Sequence, residues 1–302
     1  MPDTTVNRGN ELLSAETLAR LERLEIVSRK IFRGRMKGER RTRRKGQSVE
    51  FADFRNYVAG DDLRFIDWNM YARLDRLFLK MYLEEEDLHF YVLVDASASM
   101  DFGEPTKLWY AKQLAAALGY VALCRMDRLR IETLGQPLRA PGPVLRGRHS
   151  LWRMLEQLQR IETSDSENVS LEDGLKNFCL RNAGKGVLVV ISDMMDKHGY
   201  ENALRYLVAN QLDVYVVQVL SPVEIDPDLA GDLRLIDAED GDQAEITVSR
   251  PLIDRYRQTL NAFVNGLRQF CRQRGMGYVL ANTQIPVENL VGTYLRQQGM
   301  VK

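Results

Sequence analysis

Two uninterrupted apolar runs dominate the pattern of the chain. Val92-Leu93-Val94 leads into Asp95, and Val187-Leu188-Val189-Val190-Ile191 leads into Ser192-Asp193. Short continuous runs rich in β-branched residues predict strands buried on both faces. They place strands at 89–95 and 186–192, with two more at Val214–Leu220 and Gly277–Ala281. Between them the apolar spacing becomes helical. Leu108, Ala111, Leu114, Ala115, Leu118, Val121 and Ala122 predict a helix over about 106–125. Further helices are predicted near 149–161, 170–182, 199–210 and 251–273, and Pro286 opens a last one. Strands alternating with helices predict an α/β fold with a mostly parallel central sheet flanked by helices.

Elsewhere the pattern is less regular. Leu129–Leu134 and Gln136–Ala140 suggest a short hairpin closed near Gly135 and ended by Pro141-Gly142-Pro143. Residues 222–248 are Asp- and Gly-rich, with two short strand candidates at Leu233–Ile236 and Ala244–Val248. Ser14 is positioned to cap a short helix bearing Leu18, Leu21, Leu24 and Ile26. From Arg29 to Lys45 comes a basic arm whose only acid is Glu39. Residues 46–88 are too rich in aromatics for a linker. Three pieces are therefore expected: a helix and basic arm at 1–45, a segment at 46–88 packing on the main domain, and an α/β domain at 89–302.

At 302 residues the chain has room for one large domain or one domain with an appendage. Its formal net charge of zero gives the whole molecule no bias toward nucleic acid or membrane surfaces. Cys124, Cys179 and Cys271 are unevenly spaced in helix-like segments, which fits reduced thiols better than disulfides or a metal cluster. No apolar run approaches the roughly 18 residues of a membrane span, and Met1-Pro2-Asp3-Thr4-Thr5 does not open a signal peptide. The expected location is the cytoplasm.

The candidate chemistry gathers where the strands end. Asp95, Ser97 and Ser99 put a carboxylate and two hydroxyls on one turn at the carboxyl end of a strand, the end at which open α/β sheets bind ligands. This hard-oxygen set suits Mg²⁺ or Mn²⁺ but carries too little charge alone. Asp193 supplies a second acid at the end of a later strand, and Ser170, the N-cap of a helix, adds a hydroxyl at the same rim. Taken singly, each is equally well a turn, a strand end or a plain cap. Enzyme readings have less support. Of His89, His149 and His198, none is placed as a base beside Ser97, and His198 reads as an exposed loop residue. No Gly-x-x-x-x-Gly-Lys-Ser/Thr occurs, so the chain is not expected to be a P-loop ATPase itself. A Mg²⁺- or Mn²⁺-dependent phosphoester hydrolase normally has more carboxylates than these two. Nucleic-acid binding rests on the basic arm alone, with no aromatic stacking platform interleaved among its arginines.

Asp95, Ser97, Ser99, Ser170 and Asp193 together resemble the metal-ion-dependent adhesion site of the von Willebrand factor A-like fold, with Ser170 in that family's Thr position. The resemblance implies metal-dependent protein binding, with a partner's carboxylate taking the open coordination position. A second resemblance lies just upstream. Glu50-Phe51-Ala52-Asp53-Phe54-Arg55-Asn56-Tyr57-Val58-Ala59-Gly60-Asp61-Asp62-Leu63-Arg64-Phe65-Ile66-Asp67-Trp68, followed by Ala72-Arg73, is similar to the signature of the bacterial family known as domain of unknown function 58. Many members carry two membrane helices at the amino end, and this chain looks like the short, soluble form. The resemblance implies a partner of a MoxR-type AAA+ ATPase in chaperone-like maturation of a client protein, not an enzyme. Within the signature, Arg55, Arg64 and Arg73 face Asp53, Asp61, Asp62 and Asp67 around Tyr57 and Trp68. This is either a self-satisfied ion-pair network or a partner-binding surface built from Arg55, Tyr57, Asp61, Asp62, Arg64, Asp67, Trp68 and Arg73.

Overall fold

The computed structural model describes residues 12–27, 50–83, 88–135, 141–163, 169–182, 186–210, 212–229, 231–237 and 241–302. In chain order the elements are α1 (Ala15–Leu21), β1 (Glu50–Asn56), α2 (Trp68–Leu74), β2 (Phe78–Leu83), β3 (His89–Asp95), α3 (Lys107–Cys124) and β4 (Arg128–Leu134). There follow α4 (Leu151–Gln159), α5 (Leu171–Arg181), β5 (Gly186–Ser192), α6 (Glu201–Val208), β6 (Leu212–Leu220) and α7 (Pro222–Ile225). The last are β7 (Gly231–Ile236), β8 (Gln243–Val248), α8 (Arg250–Gln273), β9 (Gly277–Asn282) and α9 (Val287–Asn289), which runs on into a π-helical turn over Leu290–Leu295. They form two compact units, Met1–Arg29 with Leu88–Lys302, and Lys30–Asp87.

In the larger unit five parallel strands form one sheet in the order β4-β3-β5-β6-β9. The apolar runs are continuous because both faces of the sheet are covered. Phe90, Val92 and Val94 of β3 enter a core with α1, α3, α4 and α9, while Tyr91 and Leu93 enter a second core with α5, α6 and α8. This is a mixed α/β, Rossmann-like arrangement. Strand order reverses between β3 and β5, because β4 lies on one side of β3 and the later strands of this sheet, β5, β6 and β9, lie on the other. Helix α3 is buried on nearly every side. A Cβ at its Gly119 would stand 2.5 Å from Met154 Sδ, so the glycine lets α4 approach.

The structure refines three sequence expectations. The segment at 129–134 is the edge strand β4 of the sheet, parallel to β3, and beyond the Pro141-Gly142-Pro143 turn Leu129 and Leu145 exchange backbone hydrogen bonds of 2.9 and 2.8 Å. The other half of the expected hairpin, 136–140, lies outside the described residues, as does the basic arm 29–45. The short helix α1, capped by Ser14 as expected, belongs with the α/β unit, since Leu12, Leu13, Leu21 and Ile26 enter its core. Just after α1, Glu25 and Lys302 exchange main-chain hydrogen bonds of 3.1 and 3.0 Å, and Val27 N donates to Met300 O. The two short strands expected in 222–248 pair as the antiparallel hairpin β7–β8. No described helix is long and apolar enough to cross a membrane.

The smaller unit pairs β1 with β2 antiparallel, with a bulge between Phe51 and Asp53. Ile66 and Leu79 bridge and are buried. Sequence reading saw only a dense mixed segment here. Its charged and aromatic residues interrupt the period-2 alternation that marks a strand.

Candidate metal centre

Parallel pairing puts the carboxyl ends of β3 and β5 side by side. Val94 is in register with Ile191, so Asp95 and Ser192 leave the sheet together at the point where strand order reverses. Asp95 Oδ1 accepts a hydrogen bond from Ser97 N (2.9 Å) and Oδ2 accepts one from Ser192 Oγ (2.5 Å). Ser97 Oγ lies 3.1 Å from Ser99 Oγ, and Ser99 Oγ donates to Asp193 Oδ2 at 2.9 Å. Four of the five expected ligand residues therefore form one connected cluster.

The loop backbones hold this cluster tightly. Met194 has a left-handed φ of 61°, rare for a residue with a side chain and costing of order 1–3 kcal/mol. The turn aims Met195 N at Asp193 Oδ1 (3.0 Å) and Met194 N at Ser192 Oγ (2.9 Å). On the other side Gly135, at φ 76°, passes so close that a Cβ there would stand 2.8 Å from Ser97 N and 3.3 Å from Asp95 Oδ1.

Ser170 caps α5 as its sequence position implies. Its Oγ accepts from Asp173 N (3.1 Å) and donates to Asp173 Oδ2 (2.9 Å). It lines the same cleft as Asp95, Ser97 and Asp193, a cavity of about 110 Å³, but is bonded within its own helix turn. His198 lines the cleft too. Its side chain is largely exposed and its Nδ1 lies 3.2 Å from Asp196 Oδ1.

Three participants were missed in the sequence. Lys107, in the first turn of α3, is 1% exposed and donates to Asp193 Oδ2 at 2.7 Å and to Glu224 Oε1 at 2.6 Å. Glu224 closes a capping box with Ser221 in α7. The Ser-x-x-Glu spacing is readable as a cap, but the lysine it reaches lies over a hundred residues away, where no spacing rule applies. Gln218 on β6 donates Nε2 to the Asp193 carbonyl (3.0 Å) and accepts from Tyr278 OH (2.7 Å). The only signal for Gln218 was a polar residue inside an apolar strand.

The electrostatics suit a cation. Burial, and then the neighbouring Asp193 charge, push the Asp95 carboxyl above the ordinary aspartate range, against the hydrogen bonds from Ser192 and Ser97. Burial opposes the Lys107 ammonium, yet Asp193 and Glu224 outweigh it and raise its pKa. Asp193 and Glu224 thus share one ammonium, and Asp95 adjoins Asp193 through the serines, so carboxylates outnumber ammonium groups among these largely buried residues. Among the described residues no three His, Cys, Asp or Glu side chains gather as a protein-only cage. A cation here depends on the hydroxyls of Ser97 and Ser99 beside Asp95 and Asp193, a set that fits Mg²⁺ or Mn²⁺. No cysteine lines the cleft, and burial pushes the Cys179 and Cys271 thiols up to about 11 and about 12.

In the smaller unit the expected partner-binding residues mostly bond one another. Arg55 pairs with Asp61 (2.8 Å), Arg64 with Asp62 (2.5 Å) and Lys80 with Asp67 (3.2 Å). Asp67 also caps α2 through Asn69 N and Met70 N. Tyr57 is half-buried, and Trp68 and Arg73 are exposed. Trp68 and Tyr71 meet edge to face at 6.2 Å.

Comparison with known proteins matches residues 53–263 to the family described as "Protein of unknown function DUF58". The uncharacterized protein Rv1480 of Mycobacterium tuberculosis (strain ATCC 25618 / H37Rv) is 26% identical over 250 residues, covering 81% of this chain and 78% of that protein. The uncharacterized protein Mb1516 of Mycobacterium bovis gives the same values. Among solved structures, the conserved hypothetical protein BatB from Bacteroides thetaiotaomicron is 13% identical, with a TM-score of 0.45 over 70% of this chain and 98% of that one. An aerotolerance-related membrane protein from Bacteroides fragilis NCTC 9343 is 14% identical, with a TM-score of 0.44 over the same shares.

Proposed function

Because the chain belongs to the DUF58 family of proteins of unknown function, we propose a function from its site chemistry: a von Willebrand factor A-like module that binds another protein through a divalent cation. The observation that carries this reading is the connected cluster of Asp95, Ser97, Ser99 and Asp193 at the strand-order reversal, with its excess of carboxylate. A bound Mg²⁺ or Mn²⁺ supplies a coordination position for a partner's carboxylate. Asp95 and Asp193 provide the charge, Ser97 and Ser99 provide neutral oxygens, and Ser170 stands at the cleft wall as the least engaged member. Ser97 and Ser99 bond each other and Asp193 rather than a histidine base, which supports binding over catalysis. By family resemblance the partner is a MoxR-type AAA+ ATPase acting on a client protein in the cytoplasm.

Calorimetric titration of Mg²⁺ and Mn²⁺ into the full chain tests the site. Binding by the wild type and its loss in Asp95→Ala support the reading, and equal binding by both sinks it. Co-purification with the MoxR-type ATPase of the same host, in Mg²⁺ and in EDTA, tests the partner.

A second contact surface is favoured by one observation. Trp68, Tyr71 and Leu74, at helical i, i+3, i+6 spacing on α2, are 60%, 41% and 53% exposed. Exposed aromatic groups of this kind are the usual anchors of interfaces. Trp68→Ala is expected to weaken ATPase binding in both Mg²⁺ and EDTA. Unchanged binding returns the whole signature segment to a structural role.

A further inference from the structure

Lys107 is out of place for a simple cation site, because it puts a permanent positive charge on one of the ligands. Its ammonium is buried, bonded to Asp193 Oδ2 and Glu224 Oε1, and held by the first turn of a helix packed on nearly every side. It has no freedom to swing out to solvent. A lysine needed only to pair with Glu224 would not also have to contact Asp193, and an acid needed only as a metal ligand would normally lack a tethered ammonium 2.7 Å away.

We propose that Lys107 is the residue that sets the charge preference and affinity of the cation site. Asp193 and Glu224 share one fixed ammonium, and Asp95 adjoins Asp193 through the two serines. Removing the ammonium leaves the site more negative, which favours tighter binding generally and a trivalent ion most of all. Removing the Glu224 charge leaves it less negative and weakens divalent binding. Glu224 therefore acts at a distance from the ligand oxygens, by partnering the lysine that touches Asp193. The cluster takes hard cations because its candidate ligand atoms are all oxygen. Charges in contact within a partly dehydrated site interact strongly even at an effective dielectric constant of about 20, so the effect on affinity is large.

This inference rests on the cation-site reading above, and the experiment separates the two. Mg²⁺ binding is measured by calorimetry and Tb³⁺ binding by sensitised luminescence, on the full chain, for wild type, Lys107→Met and Glu224→Gln. Lys107→Met is expected to bind Mg²⁺ at least about tenfold more tightly, and Tb³⁺ to gain more than Mg²⁺. A damaged site loses affinity, so a gain cannot come from misfolding. Glu224→Gln keeps an acceptor for Ser221 N and shifts Mg²⁺ affinity the other way, by at least about tenfold. It serves as the independent test if Lys107→Met does not fold. If the wild type binds neither ion, both the cation-site reading and this inference fall. If the wild type binds Mg²⁺ but the variants bind it equally, or both bind it more weakly with no Tb³⁺ gain in Lys107→Met, this inference alone falls.

Discussion

Gln218 reaches from the middle of β6 to the main-chain carbonyl of Asp193, donating Nε2 at 3.0 Å from a fully buried side chain. Tyr278 on β9 donates its hydroxyl to the same glutamine at 2.7 Å. The position of Asp193 is thus fixed through two strands on the side of β5 away from Asp95. A buried acceptor left without its donor costs about 1–3 kcal/mol.

Tyr278→Phe should therefore lower stability by about 1–3 kcal/mol, measured by urea unfolding. Gln218→Leu combined with Tyr278→Phe should cost less than the sum of the single changes, since the double change leaves only the Asp193 carbonyl without its donor. Strict additivity would show that the two do not act as one chain.

Gly135 allows the exit of β4 to pass against the Asp95 loop. Gly135→Ala adds a Cβ at φ 76°, 2.8 Å from Ser97 N, and the neighbour is backbone that cannot rotate aside. The expected loss is about 1–3 kcal/mol, with weaker Mg²⁺ binding than wild type. An alanine variant with wild-type melting and titration curves would show that the loop yields freely.

Removing the ammonium of the buried triad should be costly in metal-free buffer. Lys107→Met leaves Asp193 and Glu224 without their counter-charge, and breaking such a pair from one side typically costs about 3–5 kcal/mol. Thermal or urea unfolding in EDTA reads this directly. Adding Asp193→Asn to Lys107→Met should restore part of the loss, and a further full-sized loss would contradict the pairing.

The smaller unit makes a pH prediction. The Arg55 guanidinium, followed by the Val58 N–H, holds the Asp61 carboxyl below its ordinary 3.8. A carboxyl depressed in the folded state stabilises above its unfolded pKa, and the contribution disappears as pH falls through the folded one. Asp61→Asn should therefore lower the unfolding midpoint at pH 7, with the gap closing below about pH 3.8. A gap that widens in acid would reverse the sign and rule out this pairing.

What could be read from the sequence depended on how local its cause was. Strands β3, β5 and β6 were legible because a strand covered on both faces must be apolar throughout. Asp95, Ser97, Ser99 and Asp193 were legible because they end those strands. Lys107 and Glu224 were not, since an ion pair between α3 and α7 leaves no mark in either segment. The parallel pairing of β4 with β3 was not legible for a related reason. An edge strand and a hairpin arm show similar short patterns, and the partner on the sheet side is visible only in the structure. The pair β1–β2 lacked alternation, so its fold came only from the structure.

The main-chain pairing of Glu25 with Lys302 has a mechanical consequence. The two segments run antiparallel, so a pull between residue 12 and residue 302 loads both at the same end of the short ladder. Its hydrogen bonds then open one after another, as a zipper does, rather than sharing the load in shear. Under tension this closure should peel at low force while the five-stranded sheet, and the cluster at its carboxyl edge, stay intact.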